Sequence, residues 1–281
     1  MNIGLSTCGK ELDEALFQSY RDAGISAMEV STASGNYQNL RYEEILALGQ
    51  KYGITLWSFH LPFDPFEDID ISRTELAEQS IAYFESLIQK AAAIGIHIFV
   101  IHPSGEPITE SDRPARMTCA KKSLSKLADL AKKYGAVIAV ENLPRTCLGR
   151  DSRDMLELIS AHPDLKVCFD TNHLLGEDPV EFIRKVGKHF ITLHVSDYDF
   201  LNERHWLPGE GKMDWIETLS ALESVGYRGP WLYELGFSAP ASISRPRDLN
   251  CEDFARNAQE LFAGKSFTVL GKPVDGLTSW K

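Results

Sequence analysis

Short apolar runs alternate with longer amphipathic ones along almost the whole chain. The segments NIGLS, SAMEVS, ITLWSFH, HIFVIH, AVIAVEN, KVCFDTN, FITLHVS and PWLYEL are rich in apolar and β-favouring residues, and each runs into a turn signal. Between them, stretches such as TELAEQSIAYFESLIQKAAAIG and RMTCAKKSLSKLADLAKKYG place apolar residues at helical spacing and end in glycine, a common helix stop. Strand then helix, repeated eight times, predicts an α/β protein of the (β/α)8 TIM barrel class, whose strands are covered on both faces and therefore read as near-continuous apolar runs. A doubly wound open sheet has the same alternation. It ranks second because the eight units cover Asn2 to Gly264 without a linker or composition shift. Residues 1–264 are thus read as one barrel domain and 265–281 as a C-terminal extension. Phe267, Val269, Leu270 and Trp280 in that extension are expected to pack across the barrel or onto a partner chain.

In barrel enzymes the chemistry gathers at the C-terminal ends of the strands. His60 closes the third predicted strand, His102 the fourth, Glu141 the fifth, Asp170 the sixth, His194 the seventh and Glu234 the eighth. One such residue alone is more often hydrogen-bonded or solvated than ligating. Six converging on one mouth would repel unless something positive held them, and a divalent cation is the simplest such partner. His97, His162 and His189 precede strands and are read as structural. Glu141, Asp170, His194 and Glu234 are mostly oxygen donors with one nitrogen, a set that suits Mn, Mg or Co at least as well as Zn.

Composition narrows the reading further. The 281 residues carry a formal charge of −11, which argues against a broadly basic nucleic-acid surface. No apolar run approaches the roughly 20 residues that cross a bilayer, and the start MNIGLSTCGKELDEA does not resemble a secretory signal. The 5 cysteines are scattered and never spaced CxxC, as in reduced cytoplasmic proteins, and are read as small apolar filler.

Taken in order, VEN, FDTNH, LHVSD, RHWLPGEGKMDW and YEL resemble the xylose-isomerase-like barrel superfamily, which includes ketose 3-epimerases, the inosose and hydroxypyruvate isomerase relatives, and endonuclease IV. The resemblance implies that Glu141, Asp170, His194 and Glu234 hold a catalytic divalent metal, and that Glu141 and Glu234 exchange a proton through a metal-stabilised enediolate of a sugar or sugar phosphate. It also implies that His173 and Arg204 contact substrate hydroxyls, and that Pro208 to Gly211 shapes the loop leading to the seventh helix. His60, His102 and His205 complete the expected substrate contacts, and the expected partner is a small sugar or polyol, with a homo-oligomer possible in principle.

Two alternatives stay open at this level. Endonuclease IV relatives add histidine ligands on the third and fourth strands and an Asp-x-His pair. Here His60, His102 and Glu203-Arg204-His205 approach that set, with Glu in place of Asp, and the loops GLSTCGK and STASGNYQN do not look DNA-inserting. A non-catalytic sugar-binding barrel is the other alternative. Trp57, Phe59, Phe63 and Phe66 are read either as pocket wall or as core. Arg245 and Arg247, after the eighth strand, are read either as an anion site or as a solvated loop.

Overall fold

The computed structural model describes residues 1–33, 35–63 and 68–281. Eight parallel strands, β1 (Ile3–Ser6), β2 (Ala27–Val30), β3 (Thr55–His60), β4 (Ile98–Ile101), β5 (Val137–Glu141), β6 (Lys166–Asp170), β7 (Phe190–His194) and β8 (Trp231–Tyr233), form one sheet in the order β7-β6-β5-β4-β3-β2-β1-β8. The two ends meet through a parallel bridge between Val195 and Tyr233, with the Val195 N–H donating to the Leu232 carbonyl at 2.8 Å, so the sheet closes into the expected barrel. Helices α1 (Glu14–Ala23), α2 (Tyr42–Tyr52), α3 (Ala77–Ala93), α4 (Arg113–Lys133), α5 (Ser152–Ile159), α6 (Pro179–Val186), α7 (Trp215–Ser224) and α8 (Cys251–Phe262) follow the strands in turn. Among the described residues no helix is long and apolar enough to cross a membrane.

The period of two along each strand places the chemistry. Ile98, Val100, Ala139 and Cys168 form an inner cluster inside the barrel, while Phe99, Ile101, Ile138, Val140, Phe169 and Leu193 join the core between sheet and helices. Continuing the inward register by two residues gives His102, Glu141 and Asp170 at the mouth, and Thr192 leads in the same way to His194. The apolar plug beneath leaves these polar ends no room to sink into the barrel.

Beyond β7, the loop that carries Glu203 and His205 is organised by one buried carboxylate. Asp197 accepts hydrogen bonds from the backbone N–H of Tyr198 (2.8 Å), Gly209 (2.8 Å) and Met213 (3.2 Å) and from Trp215 Nε1 (2.9 Å). Gly211 is required here, because a Cβ would stand 2.2 Å from Asp197 Oδ1. The C-terminal extension folds back on the same region. Lys272–Pro273 (β10) pairs antiparallel with Ile243–Ser244 (β9), and the Trp280 N–H donates to the Leu201 carbonyl at 3.1 Å. Arg245 and Arg247 are not a free anion site. Arg245 is buried against Glu210 (2.6 Å), and Arg247 is held by Asp253 (2.6 Å).

Asp197→Ala strands four donors, three of them buried and each of those worth roughly 1–3 kcal/mol when unpaired. Urea unfolding is therefore expected to show a loss of about 3 kcal/mol or more. A loss below about 1 kcal/mol would refute the role given to this carboxylate.

Candidate active site at the barrel mouth

Glu141, Asp170, His194 and Glu234 each place one ligand atom within 4.8 Å of the others. His194 Nδ1 lies 3.1 Å from Glu141 Oε1, 3.0 Å from Glu234 Oε2 and 4.0 Å from Asp170 Oδ2. The motif residues around them are the braces. Asn142 donates through Nδ2 to the Asp170 carbonyl and accepts the Asp170 N–H on Oδ1, both at 2.8 Å, which locks β5 to β6. The Asn172 N–H donates to Asp170 Oδ1 at 2.6 Å. That leaves Asp170 Oδ2 buried with no hydrogen-bond partner among the described residues, aimed into the cluster. The Asn172 side chain in turn accepts the Arg204 N–H at 2.9 Å, tying the loop with Glu203 and His205 to the end of β6.

Sequence reasoning passed over Glu29. It sits inside β2, fully buried, and its carboxylate takes a hydrogen bond from Ser58 Oγ (2.8 Å) and lies 3.0 Å from His194 Nε2. A register shift between Met28 and Glu29 leaves Trp57 as the extra residue of β3 and sets Glu29 directly opposite Ser58. With its Nε2–H directed at Glu29, His194 presents Nδ1 to the other three residues. The available signal is a lone charge in an otherwise apolar four-residue strand, one position short of the strand end where ligands are expected.

The remaining predicted residues divide into two groups. His102, His173 and His205 line the open space at the mouth. His102 Nε2 approaches Glu141 Oε2 at 3.2 Å, and His173 donates through Nδ1 to the Asn142 carbonyl at 2.8 Å. His205 Nε2 is 2.7 Å from Glu203, and the residue holds a left-handed backbone (φ 52), which is uncommon outside glycine. His60 and Arg204 belong to the other group, set back from the open space where substrate contact is expected. His60 is 1% exposed and lies behind Glu141, with Nδ1 on the Leu61 carbonyl (2.8 Å) and Nε2 on Glu141 Oε2 (3.1 Å). Arg204 turns its guanidinium to Asp199 (2.9 Å) and to the Thr278 carbonyl (2.9 Å) and lines neither cavity described below. Of the aromatic residues, Phe63 lines the mouth, Trp57 donates to Thr192 Oγ1 inside the barrel, and Phe59 packs in the core against Tyr37 and Phe99. Phe66 lies outside the described residues.

Burial dominates the electrostatics. Burial drives the Asp170 carboxyl up from 3.8 to about 7, with Glu141 and Glu234 adding to the rise against the pull of His173 and His194. For His60 burial alone would favour the neutral ring, yet Glu141, Glu234 and Glu29 outweigh it and lift the imidazole from 6.5 to about 9. His173 rises to about 10 in the same way, its burial outweighed by Asp170 and Glu203. Glu141 and Glu234, despite the same desolvation, are pulled down by His194 and other imidazoles, Glu234 to about 2. Protonated imidazoles thus balance the carboxylates when no cation is bound.

A space of about 690 Å³ opens over Glu141 and Glu234, walled by Tyr37, Phe63, His102, His173 and His205 among others. A parallel barrel whose mouth is lined by carboxylates and imidazoles is the layout of a (β/α)8 enzyme. The chain belongs to the xylose isomerase-like TIM barrel family, whose model matches residues 17–249. It is 26% identical over 201 residues to an uncharacterized protein of Methanocaldococcus jannaschii, covering 68% of this chain and 67% of that one. It is 23% identical over 229 residues to the D-psicose 3-epimerase of Ruminiclostridium cellulolyticum, covering 76% of each. The crystal structure of a D-tagatose 3-epimerase-like protein shares the fold with a TM-score of 0.78 at 21% identity, covering 94% of this chain and 96% of that one.

Asp170, His60 and His173 all bind protons more tightly folded than unfolded, so they stabilise the cation-free protein at low pH. Asp170's contribution is lost as pH rises from 3.8 through about 7, and those of His60 and His173 as it rises from 6.5 through about 9 and 10. The urea midpoint of chelator-treated protein should therefore fall between neutrality and about pH 9.5. A flat or rising midpoint over that range would contradict the charge balance described.

Proposed function

We propose that the protein is a divalent-metal-dependent sugar epimerase or isomerase that moves a proton on the carbon next to a substrate carbonyl. The observation that carries this reading is Asp170 Oδ2, buried and unpartnered among Glu141, His194 and Glu234. A carboxylate in that position is costly unless a cation completes it, and the oxygen-rich donor set fits Mn, Mg, Co or Zn. Glu141, Asp170, His194 and Glu234 would hold the ion. When bound, such an ion polarises a carbonyl oxygen and makes the neighbouring C–H more acidic.

The chain's own groups supply the rest. Glu234, with its side chain 16% exposed, faces the open space, while Glu141 is 1% exposed and steadied by His60 and His102 on one oxygen. Imidazoles hold both carboxyls low, so either can act as the base when ionised. The ionised one removes the proton and becomes a carboxylic acid, while the other, having taken a proton from solvent, delivers it to the opposite face and inverts the carbon; delivery to the neighbouring carbon isomerises the sugar. His102, His173 and His205, on the wall of the open space, would orient substrate hydroxyls. The epimerases named among the relatives favour inversion at a sugar carbon.

His173, Glu203 and His205 form another ligand-like group. Glu203 Oε2, however, is 2.8 Å from the Arg145 guanidinium, which already provides the positive charge an ion would bring. This favours a single-ion site over the multi-zinc phosphodiesterase alternative. Glu29 acts as a positioning residue, because its carboxylate on Nε2 fixes the tautomer of His194 that offers Nδ1.

Three outcomes are expected. Elemental analysis of protein purified without chelator should give about one divalent ion per chain, unchanged by His205→Ala, whereas about three zinc ions would move cleavage of an abasic-site oligonucleotide to first place. Glu234→Gln should keep the fold by circular dichroism yet lose at least about 100-fold in solvent deuterium incorporation into ketoses. Near-normal exchange would remove Glu234 from the reaction. Glu29→Gln should weaken metal binding about 10–100-fold by calorimetry. An unchanged affinity would show that His194 needs no such brace.

A further inference from the structure

The space over the tetrad is not the whole of the concavity. A second cavity of about 420 Å³ adjoins it, formed by the loops after β3, β4 and β5, and the two share Phe63, His102, His173 and Glu203 as common wall. The first cavity alone, at about 690 Å³, lies within the roughly 300–1,000 Å³ that encloses a drug-sized ligand. A free ketohexose of about a dozen heavy atoms, seated with its carbonyl at the tetrad, would leave the second cavity unfilled.

The lining of the second cavity says what it takes. Three arginines reach it, and each is already neutralised. Arg73 Nε donates to Glu75 at 2.8 Å, Arg116 Nη2 to Asp70 at 2.5 Å, and Arg145 to Glu106 at 2.9 Å and to Glu203 at 2.8 Å. Asp68, Asp70, Glu106 and Glu203 on the wall outnumber Arg73, Arg116 and Arg145. Among the described residues, a phosphate or carboxylate tail would meet no unpaired guanidinium and several carboxylates, an unfavourable exchange for the water it gives up. Partly exposed Arg–carboxylate pairs do offer mixed donors and acceptors at their edges, as sugar hydroxyls require. Beside them stand apolar faces, Leu143, Pro144 and the ring of Phe63, which is 48% exposed at the junction of the two cavities. Aromatic rings with polar neighbours suit the C–H face of a pyranose.

We propose that this side cavity is a subsite for a neutral glycosyl group, so that the substrate is a keto-sugar carrying a second sugar ring rather than a free or phosphorylated monosaccharide. The inference rests on the sugar epimerase or isomerase reading and specifies its substrate class. Arg145 is central to the subsite. Its backbone holds the left-handed conformation (φ 54), and its side chain bridges the loop after β4 to Glu203 beside the histidines of the main site.

The test uses the full-length, Mn-loaded protein with D-fructose, D-fructose 6-phosphate and the keto-disaccharides isomaltulose and lactulose, reading binding by calorimetry and turnover by solvent deuterium incorporation. At least one disaccharide should bind about tenfold or more tighter than D-fructose. Leu76→Trp, placed on the wall of the side cavity alone, should erase that advantage and leave D-fructose binding unchanged. Arg73→Trp on the same wall serves if Leu76→Trp does not fold. Equal or weaker binding of both disaccharides, a preference for D-fructose 6-phosphate, or an advantage that survives both tryptophans would overturn the proposal. Epimerisation of D-fructose without any disaccharide preference would sink the subsite and spare the enzyme reading. Disaccharide preference in binding with no proton exchange on any sugar would do the reverse.

Discussion

Four carboxylates, Glu29, Glu141, Asp170 and Glu234, meet around one imidazole above an apolar cluster inside the barrel, and the structure around them follows from keeping that arrangement tolerable. Desolvation of several anions at close range costs far more than any single hydrogen bond returns. His194 answers part of it, touching Glu29 on one ring nitrogen and Glu141 and Glu234 on the other. His60 and His102 answer another part from the side of Glu141. Asp170 Oδ2 has no hydrogen-bond partner among the described residues, with His173 Nδ1 at 3.7 Å and His194 Nδ1 at 4.0 Å, and this is the point where the proposed cation would complete the site.

The same constraint accounts for what lies beneath and behind the site. The inner cluster of Ile98, Val100, Ala139 and Cys168 supplies the dry floor that makes the charges strong. Asn142 uses both ends of its amide, and Asn172 its amide oxygen, on backbone groups of neighbouring segments, so the strand ends cannot relax apart to relieve repulsion. Asp197 does the equivalent for the loop after β7, holding four donors that would otherwise be stranded. Rigidity here serves the proposed reaction, since a site that spread by an ångström would hydrate and lose its pull on a bound ion or on a proton.

The fold was legible because barrel strands are covered on both faces and their apolar runs stand out from amphipathic helices. All eight quoted segments contain a strand of the barrel. The tetrad was legible for a related reason, because each member sits at a strand end and the fold forces strand ends together. Three things were not legible. Glu29 lies inside a strand, and only the register shift opposite Trp57 shows that it faces His194. His60 reads from sequence like any other strand-end ligand, while its depth behind Glu141 depends on where the neighbouring side chains end. Arg204 and His205 are adjacent in sequence, and the choice of which one faces the mouth is made by a left-handed backbone at His205 and by Asp199 and the C-terminal extension capturing the arginine. A motif specifies the segment that arrives at the mouth, not which of its side chains turns inward.

Specificity in such a barrel is separable from chemistry, and the geometry shows where the separation falls. The tetrad and its braces come from strand ends and the residues immediately after them, whose positions the barrel fixes. The second cavity is built from the longer loops after β3, β4 and β5, where side chains are paired across loops rather than along the sheet. Loops of that kind vary without disturbing the barrel. Arg145 is the exception that joins the two, because its contact with Glu203 reaches a residue that also holds His205. A change in what fills the outer cavity is therefore felt at the histidines that would orient the reacting sugar, through one guanidinium and one carboxylate rather than through movement of the barrel.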